Sequence, residues 1–372
     1  MEVGVAPARF RLTRRRFSLQ CLASLMMAGP SLPSPAAQVH RGSASRRSAF
    51  QRARLLRRGI NLGNMLDAPE EGAWGVRLKA EYFYVIARAG FGSVRIPIRW
   101  SAHAEVTPPY RIDPAFLRRV DWAIRQALSR GLVAVIDVHH YAEMNLDPPG
   151  HLPRLTSLWT QIAEHYRNWP NGLFFELLNE PEGKLTDERW SEIVPHLLRA
   201  VRESNARRMV VVGPAHQYAA TSLDRLNLPE NDPYLIASFH YYSPLRFTHQ
   251  GADWVAGSEA WRGTSWEGSP EERRALTADF DRVAAWAARS NRPVYVSEFG
   301  AYQAADMDSR RRWTAAVAAE AARLGFVTAY WEFCSSFGAY DPQAGAWRQP
   351  LLRALMSTKP LLTSPRMLPR SA

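Results

Sequence analysis

The chain of 372 residues is long enough for two average domains or one large one, and 46% hydrophobic content supports a sizeable core. Its net charge of +12 is lopsided: residues 1–58 carry twelve arginines against one acid, Glu2, which leaves the rest close to neutral. A phosphate-tracking surface on the body is thereby excluded and no nucleic-acid partner is expected; no apolar run is long enough for stable membrane insertion either.

In chain order, Thr13-Arg14-Arg15-Arg16-Phe17-Ser18-Leu19 has the twin-arginine export pattern. An apolar stretch, Leu22 to Ala28, follows, and the small residues of Ser34-Pro35-Ala36-Ala37 offer cleavage points. Residues 1–37 are expected to be a signal peptide that directs the protein to the periplasm or the medium, and residues 38–57 a basic N-terminal segment. Only Cys334 lies beyond that leader, so the mature body has no intramolecular disulfide to draw on.

From Arg58 onward, short apolar runs alternate with amphipathic ones. The runs begin near Gly59, Phe91, Leu132, Leu173, Met209, Leu235, Pro293 and Phe326. Their continuous hydrophobicity suits parallel strands buried on both faces. Between them, Leu117, Val120, Ile124, Ala127 and Leu128 form one helical stripe, opened by the Asp113-Pro114 cap signal and closed before Gly131. Pro195 is expected to kink or split the helix that contains it. Eight strand-helix units predict an α/β fold, a (β/α)8 barrel forming one catalytic domain over residues 58–356, with 357–372 as a tail. An open doubly wound sheet would call for a glycine-rich phosphate turn, which Asn61-Leu62-Gly63-Asn64 does not supply.

Polar residues gather where these strands end: Asn64 and Asp67, Arg95, His139 and His140, Asn179 and Glu180, His240 and Tyr242, Glu298, then Trp331 and Glu332. A barrel brings such ends together at one mouth. Two glutamates there suit glycosidic cleavage, in which a neutral carboxylic acid protonates the leaving oxygen and an ionised carboxylate attacks from the other face or activates water. His139 and His140 are also candidate metal ligands, which keeps a metal-dependent barrel hydrolase open. Adjacent strand residues point to opposite faces, so the pair is expected not to share an ion. The long segment after the sixth strand holds Trp254, Trp261 and Trp266, at least one of which is expected to stack on sugar.

Leu178-Asn179-Glu180-Pro181 and Ser297-Glu298-Phe299-Gly300 resemble the acid/base and nucleophile motifs of glycoside hydrolase family 5. Five further segments resemble that family's motifs in order: Gly59 to Asn64, Val94 to Pro97, Asp137 to His140, His240 to Tyr242 and Tyr330 to Phe333. Phe247 to Trp254 is similar to a bacterial branch with glucanase and mannanase members. The resemblance implies Glu180 as acid/base and Glu298 as nucleophile. It further implies Asn179 on the sugar 2-hydroxyl, Arg95 and Tyr242 holding the nucleophile, and His139, His140 and His240 lining the cleaved sugar's site. Trp331 would floor that site, and Asn64, His249 and Trp254 would contact neighbouring sugars. The branch usually has Glu at Asp67, so its mannan activity does not simply transfer.

The function expected is that of a retaining endo-β-1,4-glucanase acting as a monomer on a β-glucan, without cofactor or metal. An endo-β-mannanase or lichenase is the alternative within the family, and a non-catalytic carbohydrate-binding barrel the alternative outside it. Glu180 is expected to have a raised pKa and Glu298 a low one.

Overall fold

The computed structural model describes residues 49–358. The export signal read at residues 1–37 and nearly all of the tail lie outside the described residues. Within them, eight strands close a parallel barrel in sequence order: β1 (Arg58–Asn61), β2 (Ser93–Ile96), β3 (Val133–Asp137), β4 (Leu173–Glu176), β5 (Val210–Val212), β6 (Leu235–Tyr241), β7 (Val294–Phe299) and β8 (Val327–Tyr330). Every strand pairs parallel to its neighbour, and β8 returns to β1. The long helices are α1 (Ala80–Arg88), α2 (Pro114–Leu128), α3 (Pro148–Tyr166), α4 (Asp187–Ser204), α5 (Pro270–Ser290), α6 (Met307–Leu324) and α7 (Gln349–Met356). Between β5 and β6 the outer layer is reduced to short turns and a 3-10 segment, Ala220–Arg225. None of these helices is long and apolar enough to cross a membrane.

Local signals explain where the helices start. Asp113 accepts from the Ala115 amide with Pro114 in the first turn of α2, and Ser269 and Glu272 close a reciprocal capping box on α5. Of the two expectations for Pro195, splitting does not occur: α4 runs unbroken through it. It and Ser191, the residue whose carbonyl loses its partner, are both half-exposed, while Trp190, Val194, Leu197 and Val201 hold the helix against the barrel.

Strand alternation divides the interior. Outward residues such as Val94, Ile96, Ala134, Ile136 and Val296 pack beneath the helices. Inward residues Val133, Val135, Phe174, Met209, Val211, Ile236, Tyr295, Val327 and Ala329 fill the lower barrel, joined by Ala49, Ala53 and Leu56 from helical turns preceding β1. The packed body therefore extends upstream of the boundary read at residue 58: part of the basic segment plugs the barrel floor. Toward the upper rim the inward positions turn polar, with Asn61, Arg95, Asp137, Glu176 and His240 all at or near zero exposure.

Candidate active site

Arg95 is the hub. It projects inward from β2, is fully buried, and donates through every guanidinium nitrogen. Its Nε and Nη2 fork onto Glu176 of β4 at 2.7 and 2.9 Å. Nη2 also reaches Asp137 of β3 at 2.8 Å and Asn179 Oδ1 at 2.7 Å. Nη1 reaches Asn61 Oδ1 at 3.0 Å and Glu298 Oε1 at 2.6 Å. Burial alone would pull Arg95 down, but Glu176, Asp137 and Glu298 outweigh it and hold the guanidinium charged. Arg95 thus pairs at once with core carboxylates and with Glu298.

Strand parity by itself would send Glu298 to the outer face. Tyr295 points into the lumen and Val294 and Val296 point out, so position 298 should follow the latter. Pairing with β6 shifts register here: Phe239 faces Val296, but His240 faces Glu298. One extra residue, Ser297, bulges β7 and turns Glu298 into the mouth. Its carbonyl accepts from Asn61 Nδ2 at 2.9 Å, and its hydroxyl lies 2.6 Å from that of Ser238.

Glu298 Oε2 accepts from the Tyr242 hydroxyl at 2.8 Å. Glu180 stands opposite, on the loop after β4, in a left-handed backbone conformation with φ 46° that is unusual for glutamate. Tyr218 donates to the Leu178 carbonyl at 2.6 Å and fixes the approach to that loop. His240 Nδ1 lies between the two acids, 2.6 Å from Glu180 Oε1 and 3.6 Å from Glu298 Oε2. These three side chains offer atoms that all lie within 4.8 Å of one another. Such closeness of carboxyl oxygens suits direct attack, for which the carboxyl groups stand about 5–5.5 Å apart, better than the about 6.5–9.5 Å of an inverting site.

Burial pushes Glu180 up to about 7 despite the nearby Arg95. It pushes Glu298 up to about 7 as well, against the low value expected from sequence, because the desolvation of a 5%-exposed carboxyl outweighs the help of His240 and Arg95. Two acids this close titrate as a pair that keeps one proton through neutrality. Arg95 and Tyr242 both donate to Glu298 and favour its ionised form, so the shared proton sits on Glu180. Burial holds His240 neutral, down at about 4. A neutral imidazole can accept from protonated Glu180 or donate to its carboxylate, so one contact fits both states of an acid/base group.

The remaining predicted residues gather around this centre. His139 donates from Nδ1 to Asp137 at 2.6 Å and stacks parallel to Trp331, ring centres 5.9 Å apart. Trp331 lies over Gly63, where a Cβ would come within 2.6 Å of the indole. His140 takes φ 44°, which breaks strand alternation and turns its ring to the same side as His139; their centres are 4.5 Å apart. Asn64 bonds Ser335 at 2.8 Å. His249 rests against Tyr242 and Phe337, and Trp254, 56% exposed, continues that aromatic wall with Tyr302. Trp266 is buried packing and Trp261 half-buried. Asp67 is a correction: it is fully buried and accepts from the Asn64 and Met65 amides at 3.0 and 2.8 Å, so its carboxyl is withdrawn behind His140 rather than presented to a sugar.

Sequence reasoning gave no role to Asn61, Asp137, Glu176, Tyr218 or Trp74, the last set edge-on to His140 with ring centres 5.3 Å apart. A charged residue at the inward phase of an apolar strand, as in Leu173-Phe174-Phe175-Glu176, was the signal available for Glu176. Glu332 was noted without a role; its carboxyl gathers the amides of Cys334, Ser335 and Phe337 and shapes the loop after β8.

A profile of the family described as Cellulase (glycosyl hydrolase family 5) matches residues 58–336. Endoglucanase H of Acetivibrio thermocellus is 38% identical over 292 residues, spanning 78% of this chain and 31% of that protein. Cellulase/esterase CelE of the same organism is 31% identical over 318 residues, 79% of this chain and 37% of its own. The chain thus matches about a third of the length of these two relatives. Crystal structures of Thermotoga maritima Cel5A, with mannotriose and with cellobiose, superpose with a TM-score of 0.81 at 46% identity, covering 82% of this chain and 99% of that one.

Proposed function

The chain belongs to glycosyl hydrolase family 5, and on that footing we propose that it is a retaining endo-β-1,4-glucanase. The observation that carries this reading is the pair Glu180 and Glu298, within 4.8 Å of each other, one facing a neutral imidazole and the other held by a guanidinium and a phenol. Glu298 forms a bond to the anomeric carbon as the glycosidic C–O bond breaks, and Glu180 passes its proton to the departing oxygen. A water that replaces the leaving sugar gives its proton to Glu180 while its oxygen displaces Glu298, which restores both groups and the original anomeric configuration. Asn179, fixed by Arg95, is placed to bond the 2-hydroxyl as charge develops.

The relatives named endoglucanase and the neighbour crystallised with cellobiose support a cellulose-type or mixed-linkage glucan as substrate. The mannotriose complex of the same neighbour makes mannan a second reading. The withdrawal of Asp67 from the cleft favours glucan over it. The leader sequence supports export by the twin-arginine route and action outside the cytoplasm. Incubation with barley β-glucan, carboxymethylcellulose, glucomannan and mannan, with products sized over time, tests the proposal. Internal cuts in the glucans, giving a falling chain length before free glucose, are expected. Faster cleavage of pure mannan would overturn the glucan assignment, and inertness on all four would support the non-catalytic barrel.

A further inference from the structure

We propose that Asp67, His139 and His140 form a binding site for a borderline divalent transition metal, Zn2+ or Cu2+, set in the wall of the glycan cleft. The expectation that adjacent strand residues cannot share an ion fails here for a local reason. The left-handed backbone at His140 turns its imidazole to the side that His139 occupies, and a nitrogen of each ring and an oxygen of Asp67 lie within 4.8 Å of one another. His140 Nε2 and Asp67 Oδ2 are already 3.8 Å apart. Metal–ligand bonds of about 2.0–2.1 Å with tetrahedral angles put neighbouring ligand atoms about 3.3 Å apart, so small rotations of the side chains complete the site.

The surroundings are those of a supported ligand set. Asp137 accepts from Arg95 and from the Ile98 amide, so its 2.6 Å contact with His139 Nδ1 fixes the ring hydrogen there and leaves Nε2 with a free lone pair. Carboxylate–histidine pairing of this kind orients metal-binding imidazoles. The two amides on Asp67 likewise fix its carboxyl while leaving lone pairs for an ion. Asp67 supplies the carboxylate, and the positive charge of Arg95 is met by Asp137, Glu176 and Glu298. The His140 side chain is 44% exposed, so entry and a fourth coordination position come from the cleft side. Two imidazoles with one carboxylate select Zn2+ or Cu2+ over Mg2+ or Ca2+. The trio Glu180, His240 and Glu298 is a poorer host, with one nitrogen and with the Arg95 guanidinium 2.6 Å from Glu298.

The ion ties up the imidazole nitrogens of His139 and His140 at the cleft wall, so it acts as a reversible competitor of the glycan. Zn2+ titrated calorimetrically into the full chain, its E298Q variant, and the H140A and D67N variants tests this, with circular dichroism confirming that each is folded. One strong site is expected in the parent and in Glu298→Gln, with affinity lowered at least about 100-fold in His140→Ala and in Asp67→Asn. With the parent enzyme, Zn2+ should raise KM and leave kcat unchanged, and a chelator should reverse the effect. Undiminished strong binding in the two wall variants, loss of binding in Glu298→Gln, or no binding at millimolar Zn2+ would each overturn the proposal.

Discussion

The hydrogen bond from Tyr242 to Glu298 can be read directly in a pH profile. Tyr242→Phe removes the 2.8 Å contact to Oε2 and keeps the ring against His249 and Phe337. A hydrogen bond to a buried charged group contributes about 1.5–3 kcal/mol, and about 1.4 kcal/mol corresponds to one pH unit. The bond favours ionised Glu298, so its loss raises the pH at which that carboxyl takes up a proton, by about 1–2 units. The alkaline limb reports the last proton leaving Glu180. The acidic limb of the bell-shaped profile of kcat/KM on soluble β-glucan, which reports Glu298 taking up its proton, should therefore move to higher pH. A uniform fall in rate with both limbs unmoved would refute the electrostatic role of Tyr242, and an acidic limb displaced downward would reverse its sign.

Glu298→Gln should abolish turnover on every glycoside while cello-oligosaccharide binding by calorimetry stays within a fewfold of the parent. Glu180→Gln should lose hydrolysis of β-glucan but keep a measurable burst with an aryl glycoside whose leaving group needs no proton; equal loss on both substrates would remove Glu180 as the acid. Arg95→Met leaves Asp137 and Glu176 buried without their cation, and chemical denaturation should show a loss of about 3–5 kcal/mol. Leu56→Ala opens the barrel floor and should cost about 2–5 kcal/mol.

The barrel was legible because strands buried on both faces read as unbroken apolar runs, and observed strand starts fall within two residues of those read from sequence. The polar rim was legible for the same reason: a charged residue at the end of such a run has few structural excuses. What the sequence hid are departures from period. The Ser297 bulge and the left-handed turn at His140 both invert alternation, and neither composition nor spacing marks them. Asp67 looked like a cleft residue because its neighbours are, yet two backbone amides claim its carboxyl. Ala49, Ala53 and Leu56 do fall at helical spacing, but the arginines around them marked a basic segment set apart from the barrel. The pKa of Glu298 was misjudged because burial, invisible in sequence, outweighs the partners that sequence did reveal.

The bulge at Ser297 makes residue count, alongside the identity of Glu298, a variable that governs reactivity in β7. Excising Ser297 would let β6 and β7 pair without interruption, a gain in backbone regularity, and would at the same time swing the glutamate's carboxyl into the greasy layer beneath the helices. Such a shortened strand should fold badly or fold inert, because the ladder and the nucleophile cannot both be satisfied. A single insertion or deletion along β7 therefore trades chemistry for symmetry.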